Sequence, residues 1–264
     1  MILALADLHG RADLLEGVLA KTPADTQFVF LGDAIDRGRR NRDTIKLLTK
    51  LANEGRMVLL KGNHEAMYED VDATYDRFQL ELKEDMKKIR RLDALEALQN
   101  WIMNGGDTVI LEYGGWDSGG LEDAFGPWGL PPELLAYAAR CKFEHSVNGI
   151  LCAHAAPPVK LKGPRSIEET MVWARPEDGP FPLPEGYRLS LHGHTPLQAP
   201  TRLGQNVFVD LGAVWTGMLC AYDLETDKIT VFKGKGLVPL TNLPELPEIG
   251  GVTPVKLEYN IIEL

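Results

Sequence analysis

A chain of 264 residues, 44% hydrophobic and 25% charged, is long enough for one large α/β domain with a substantial core and too apolar for a disordered polymer. No stretch approaches the ~20 consecutive apolar residues of a membrane-spanning helix, so no membrane partner is expected. The formal charge of −10 argues against generic nucleic-acid binding, which rests on phosphate neutralisation by Lys and Arg.

Met1–Ala6 is apolar and runs straight into Asp7 with no basic lead and no cleavage region, so Ile2–Ala6 reads as a buried first strand and not as a signal peptide. The turn Asp7-Leu8-His9-Gly10 closes it. Arg11–Ala20 carries Leu14, Leu15, Val18 and Leu19 at helical spacing. Phe28–Leu31 is the next strand, with the loop Gly32–Gly38 behind it. Thr44–Ala52 is helical again, with Ile45, Leu48 and Leu51 on one side. Met57–Leu60 is the third strand and ends in a loop, Lys61-Gly62-Asn63-His64-Glu65. Strand, loop and helix repeating at a step of roughly 30 residues is the order of βαβ crossovers. Such units return strand ends to one edge of a sheet, where ligands bind.

From Ala73 to Met103 the chain is charged and helical. Phe78, Leu82, Met86, Ile89, Leu92, Leu95, Leu98 and Trp101 recur at steps of three and four, the pattern of a core-facing stripe; a cap over an active site is the alternative. Lys87–Arg91 reads as a solvated face. Residues 104–132, rich in Gly, Pro and Trp, read as loops. A helix near Pro132–Arg140 precedes the strand Gly149–Ala153, which ends at His154. Two more strands flank Leu191-His192-Gly193-His194-Thr195-Pro196. Val207–Asp210, Leu219–Tyr222 and Ile229–Phe232 read as closing strands, and beyond Lys233 no element is legible. One domain over residues 1–264 is expected, with a helical and loop insertion at 72–150 and an extension at 233–264. Cys141, Cys152 and Cys220 read as buried thiols of a reducing, cytoplasmic location.

Each strand-end loop holds potential metal ligands. Asp7 and His9 alternate along what reads as an extended segment, so both side chains can face one point. Asp33 follows the second strand beside Gly32. Asn63 and His64 follow Gly62 after the third, and His154 and His194 each follow a later apolar strand. Singly these signals are weak, since an isolated Asp-x-His is usually a turn and Asn63 could cap a helix. Four of the six histidines nevertheless fall just after apolar runs in these segments. Carboxylate, imidazole and amide together suit Mn, Fe or Zn better than Ca, and six ligands exceed what one tetrahedral ion needs. Two metals sharing a carboxylate is the economical reading.

Asp7-Leu8-His9-Gly10, Gly32-Asp33-Ala34-Ile35-Asp36-Arg37-Gly38 and Gly62-Asn63-His64-Glu65 resemble the signature of the phosphoprotein phosphatase family of metallophosphoesterases. Leu151-Cys152-Ala153-His154-Ala155, Val172-Trp173-Ala174-Arg175, Gly193-His194-Thr195-Pro196 and Val209–Val214 resemble its bacterial and phage branch. The resemblance covers roughly residues 1–225. It implies a calcineurin-like α/β fold, a β-sandwich of mixed sheets flanked by helices around a βαβαβ metal-binding core. It also implies that Asp7, His9 and Asp33 hold one divalent ion and that Asp33, Asn63, His154 and His194 hold the other. Mn²⁺ is the expected metal, with Fe or Zn as alternatives. His64, held by Asp36, would be the general acid, and Arg37 and Arg175 would clamp the phosphate. His192 matches no ligand. The implied reaction is hydrolysis of phosphorylated Ser or Thr, with Tyr and small phosphate esters also within reach, by direct attack of a water shared between the metals. The partner is then a phosphorylated protein, peptide or small ester, not nucleic acid or membrane.

Two departures stand out. Ala6 replaces the usual Gly of the first motif, and Lys61 stands where the protein phosphatases usually carry Arg. Lysine keeps the charge and loses the bidentate grip, so Lys61 as a substrate contact implies weaker or differently oriented phosphate binding. The rival activity on this scaffold is symmetrical hydrolysis of dinucleoside polyphosphates such as diadenosine tetraphosphate. Those relatives typically end the third motif in Asp and lack the second aspartate of the second motif, whereas Glu65 and Asp36 follow the protein-phosphatase pattern. Pro196 stands where nuclease and cyclic phosphodiesterase branches commonly carry a further histidine.

Overall fold

The computed structural model describes residues 1–79, 93, 95–114 and 131–264. The expected alternation over the first seventy residues is present, as β1 (Ile2–Leu5), α1 (Ala12–Lys21), β2 (Gln27–Phe30), α2 (Asn41–Asn53) and β3 (Met57–Leu59). β1, β2 and β3 pair in parallel, as right-handed crossovers through α1 and α2 require. Leu3, Ala4, Leu5, Phe28, Val29 and Phe30 are all buried, alternate residues included. A strand covered on both faces has no polar side to show, which is why these runs are continuously apolar.

Asn63–Gln79 forms α3, so Asn63 and His64 open a helix and do not lie in a loop. Glu65, in its first turn, folds back to accept the Gly62 N–H at 2.9 Å. That supplies a negative charge and an acceptor where a helix leaves its N–H groups unpaired.

The second half of the chain contributes β4 (Glu144–Val147), β5 (Ile150–Ala153), β6 (Leu189–His192), β7 (Thr201–Leu203), β8 (Asn206–Phe208), β9 (Met218–Asp223), β10 (Ile229–Lys233), β11 (Val255–Lys256) and β12 (Asn260–Glu263). Two six-stranded mixed sheets result, in the orders β12-β10-β9-β1-β2-β3 and β11-β7-β8-β6-β5-β4. One buried cluster takes Leu5 and Phe30 from the first sheet and Ile150, Cys152, Leu191 and Val207 from the second, so the sheets share a core. This is the α/β sandwich of mixed sheets that the resemblance implied.

Several elements escaped the sequence reading. Asp107–Glu112 is a helix within the stretch read as loop, and Glu112 accepts the backbone N–H groups of Asn41 and Arg42 at 2.7 and 3.0 Å, capping α2 from outside. β11 and β12 pair with β7 and β10 in the tail that carried no signal. Val255 and Ile261 are half exposed there, so no apolar run announces them. Of the stripe between 73 and 103, Leu98 and Trp101 are buried as expected, while the side chains of Phe78, Leu82, Met86, Ile89 and Leu92 lie outside the described residues. No helix among the described residues is long and apolar enough to cross a membrane.

Candidate binuclear metal centre

The site gathers at the carboxyl ends of parallel strands from both sheets. Asp7 and His9 follow β1, Asp33 follows β2, and Asn63 and His64 follow β3, while His154 and His194 follow β5 and β6. The chain does not reach them in extended conformation. β1 ends at Leu5, and His9 has φ +46°, so Asp7 and His9 converge through a left-handed turn and not through strand alternation. Five of the seven non-glycine residues with positive φ among those described lie here: His9, Asp33, Asp36, Arg37 and His194. Each such conformation costs on the order of 1–3 kcal/mol and persists only where surrounding structure enforces it. Glycine makes the room. A Cβ on Gly62 would stand 2.0 Å from Asp33 Oδ1, and one on Gly193 would stand 2.1 Å from Asp7 Oδ1.

Two groups of potential ligand atoms meet at Asp33. His9, Asp33 and His64 form one, and Asp33, His154 and His194 form the other, each with its atoms within 4.8 Å of one another. Sharing Asp33 makes them a binuclear metal site. His154 Nδ1 lies 2.8 Å from Leu31 O and His9 Nδ1 lies 2.8 Å from Ile35 O. Each ring therefore donates its Nδ1–H to a carbonyl and turns its Nε2 toward Asp33, the orientation that prepares an imidazole for a metal once Nε2 is free of a proton. His154 Nε2 is then 3.1 Å from Asn63 Oδ1, 3.2 Å from His194 Nδ1 and 3.4 Å from Asp33 Oδ2. Nitrogen and oxygen acceptors crowded this closely and buried together fit a cation of the Mn, Fe or Zn type. Asp7, expected in the first group, is adjacent: both its oxygens accept the His194 N–H, at 3.2 and 3.0 Å.

Residues 1–198 match the calcineurin-like phosphoesterase family. The chain belongs to that family. Among curated relatives it is 31% identical over 121 residues to the serine/threonine-protein phosphatase PP1-delta of Caenorhabditis elegans, covering 43% of this chain and 39% of that one. It is also 28% identical over 102 residues to the symmetrical bis(5'-nucleosyl)-tetraphosphatase of Xanthomonas axonopodis pv. citri, covering 38% of this chain and 32% of that protein. The chain thus spans less than half the length of these relatives. Two solved structures share the fold at a TM-score of 0.55. One is a Saccharomyces cerevisiae protein serine/threonine phosphatase with similarity to human phosphatase PP5, at 14% identity over 89% of this chain and 80% of that one. The other is a proposed diadenosine tetraphosphatase, at 15% identity over 89% and 93%.

In this calcineurin-like phosphoesterase the remaining candidates fall into distinct environments. His64 Nδ1 lies 2.6 Å from Asp36 Oδ2, and its Nε2 is buried with no hydrogen-bond partner, 3.9 Å from Asp33 Oδ2. Arg37 donates through Nη1 to His9 Nε2 at 2.7 Å and through Nε to Asn104 O at 3.2 Å. Arg175 donates to His194 O at 3.4 Å and Thr195 Oγ1 at 3.3 Å. Lys61 is not brought to the cluster in the same way, because its ammonium donates to both oxygens of Glu69 at 2.7 and 2.6 Å. His192 stands apart from both ligand groups: its ring nitrogens lie 2.9 Å from Ala153 O and 2.7 Å from Ser190 Oγ.

Burial dominates the electrostatics. It pushes Asp7 well above the usual carboxylate range, aided by the Asp210 carboxylate, and raises Asp210 itself to about 6. Burial would also raise Asp33, but His154 and His64 outweigh it and hold Asp33 well below its ordinary value. Burial would lower His154, and the Asp33 carboxylate reverses that, raising the imidazole to about 10. His9 and His194 are driven well down, and His64 to about 3, in each case by burial first. With no metal bound, a proton on His154 therefore balances the buried Asp33 charge, where a divalent ion would do so better.

Three residues that sequence reasoning gave no role also shape the site. Glu65 accepts the N–H groups of Asp33 and Ala34 at 3.0 and 2.9 Å besides that of Gly62, stapling the end of β2 to the start of α3. Asn41 Oδ1 accepts the Asp36 N–H at 2.8 Å. Trp101, read only as core, donates its indole N–H to Asp36. Glu65 belonged to the motif and could have been found there; Trp101 and Asn41 carried no sequence signal of this use.

Proposed function

We propose that this chain is a metal-dependent phosphoesterase acting on phosphorylated Ser or Thr and on small phosphate esters, within the bacterial and phage branch of the phosphoprotein phosphatases. The observation that carries the reading is His64. Its ring is backed by a carboxylate at 2.6 Å and turns a buried, unpartnered Nε2 toward the shared Asp33. Asp7, His9 and Asp33 would hold one divalent ion, and Asp33, Asn63, His154 and His194 the other. Bound there, two such ions supply a nucleophilic water at neutral pH and stabilise both the attacking and the leaving oxygens.

The chain's own groups do the rest. Arg37, at His9, and Arg175, at His194, would clamp the phosphoryl oxygens with planar forks. His64 would give the Nε2 proton to the leaving oxygen while Asp36 steadies the imidazolium. Burial depresses His64 to about 3 in the metal-free protein. Lys61 would be a secondary contact, its charge shared with Glu69.

A second reading, hydrolysis of dinucleoside polyphosphates, is favoured by one observation. A cavity of about 410 Å³ runs from Arg37 past Arg39 and Lys235, two exposed cations in an acidic protein, and could receive further phosphates. Purified protein with Mn²⁺ is offered a phosphopeptide, p-nitrophenyl phosphate and diadenosine tetraphosphate side by side. The phosphatase reading expects higher kcat/KM on the monoesters; a preference of orders of magnitude for the dinucleotide overturns it. In a second test, His64→Asn loses turnover and keeps its metal. Metal lost with His64 would instead make it a ligand, as its place beside His9 and Asp33 allows.

A further inference from the structure

Trp101 lies in the insertion that no motif covers, yet its side chain is wholly buried and ends on the acid dyad. The indole Nε1–H donates to both Asp36 oxygens, at 3.0 Å each. Asp36 is itself fully buried, and Trp101 and the His64 ring are the side chains that meet its carboxylate. Indole is a donor only, with no acceptor to offer, so the contact requires Asp36 to accept. His64 meets Oδ2 alone, and the indole N–H, equidistant from both oxygens, is a second donor that tethers the carboxylate where the imidazole meets it.

The ring is held as firmly as what it holds. Tyr68 packs edge-on against it at 5.3 Å between centroids, and a Cβ on Gly106 would stand 2.5 Å from ring carbons, so the indole has no room to swing. The turn that follows is wide, Ile102–Gly106, with Gly105 at φ +105°. It presents Gly105 O to the Arg37 N–H at 3.0 Å and Asn104 O to Arg37 Nε at 3.2 Å. A Cβ on Gly105 would meet Arg37 Cγ at 2.6 Å. One short stretch thus grips two neighbouring residues of the second motif, Asp36 by side chain and Arg37 by backbone.

We propose that Trp101 is a positioning residue for leaving-group protonation: its indole N–H holds the Asp36 carboxylate against His64 Nδ1 and so keeps Nε2 aimed at the departing oxygen. The proposal rests on His64 being the general acid. Trp101 touches no substrate and acts through Asp36 alone.

The test is leaving-group dependence. Wild type, Trp101→Phe, His64→Asn and a protein carrying 3-benzothienylalanine at position 101 are compared on phosphate esters from p-nitrophenol to simple alkyl alcohols. The benzothienyl ring keeps the indole's shape and puts sulfur where the N–H was, so the donor is removed without opening the core. Losing this buried hydrogen bond is expected to cost about 10- to 100-fold in kcat on alkyl esters, and little on p-nitrophenyl phosphate, whose leaving group needs no proton. Metal content stays at the wild-type level. A fold defect lowers both substrates alike, so a uniform loss in the benzothienyl protein overturns the proposal, as does wild-type behaviour on alkyl esters. If His64→Asn itself shows no steeper leaving-group dependence, the acid assignment fails. If His64→Asn shows it and the benzothienyl protein does not, only the role of Trp101 fails.

Discussion

His154 Nε2 lies within 3.4 Å of ligand atoms from Asp33, Asn63 and His194, whereas His9 and His64 stand 3.6 and 3.9 Å from the same Asp33 carboxylate and the Arg37 guanidinium rests on His9 Nε2. The half of the centre built from both sheets is drawn together for a cation. The half built from the first motifs has the Arg37 guanidinium against a ligand atom, where the half around His154 has only a proton to release. Preorganised ligands lose less freedom on binding, and a guanidinium must be displaced before His9 can coordinate. The half around His154 should therefore fill first and hold its ion more tightly.

Removing what the halves share is the harshest way to break that comparison. Asp33→Asn should lower turnover by at least about 1,000-fold and leave less than one metal equivalent by elemental analysis, because both ions lose their common carboxylate. An Asp33→Asn protein with two tightly held ions would show that the halves are independent.

Separating the halves comes next. His154→Ala should lose the tight ion and shift metal affinity by about 10- to 100-fold, while His9→Ala should keep one tight ion and lose only the weaker. Equal losses from the two variants, read by calorimetric titration with Mn²⁺, would remove the asymmetry.

A third expectation sharpens the comparison through pH. His154 is raised to about 10 in the metal-free protein, so the ion must displace a proton at neutral pH. Titrations in two buffers of different ionisation enthalpy should report proton release, and apparent affinity should climb with pH up to about 10. The stability side has a definite sign. A histidine whose folded value exceeds the ordinary 6.5 stabilises the metal-free fold fully below that value and loses the contribution as pH rises through about 10. The melting temperature of the metal-free protein should therefore fall between pH 7 and pH 10 relative to that of the loaded protein. Parallel curves would remove the proton from the account.

The mildest effect belongs to the rim. Glu69→Gln frees the Lys61 ammonium from its carboxylate and should lower KM for a phosphomonoester by about two- to threefold, the scale of a partly exposed ion pair. An unchanged KM would place Lys61 outside the phosphate's reach.

Much of this arrangement was legible in the residues. Continuous apolar runs gave β1, β2 and β5 because both of their faces are covered. Ligand types just beyond those runs pointed to Asp33 and His154, and His194 stands in the same place after β6, since parallel strand ends share an edge. What escaped depended on tertiary partners. Trp101 sits at helical spacing among apolar neighbours, and nothing local distinguishes an indole that packs from one that also donates to Asp36. Asn63 and His64 were read as loop because the signal that starts their helix is Glu65 reaching back to Gly62, a contact local propensity does not weigh. β11 and β12 are exposed edge strands whose sequences do not alternate cleanly. Lys61 was read by analogy with an arginine; its nearest charge, Glu69, lies two helical turns along α3 and belongs to no motif.

The hydrogen bond from His194 N to the Asp7 carboxylate joins residues 187 apart in the chain. A ribosome that has released Asp7, His9, Asp33 and Asn63 has delivered four would-be ligands and neither of the later histidines. Nascent chains of intermediate length therefore present unsatisfied carboxylates without a pocket to retain an ion. Capture of the ion that needs His154 and His194 becomes a late, long-range event, slow because contacts between distant residues are costly to close. Supply of that ion during synthesis would accordingly act on the finished fold and not on the growing one.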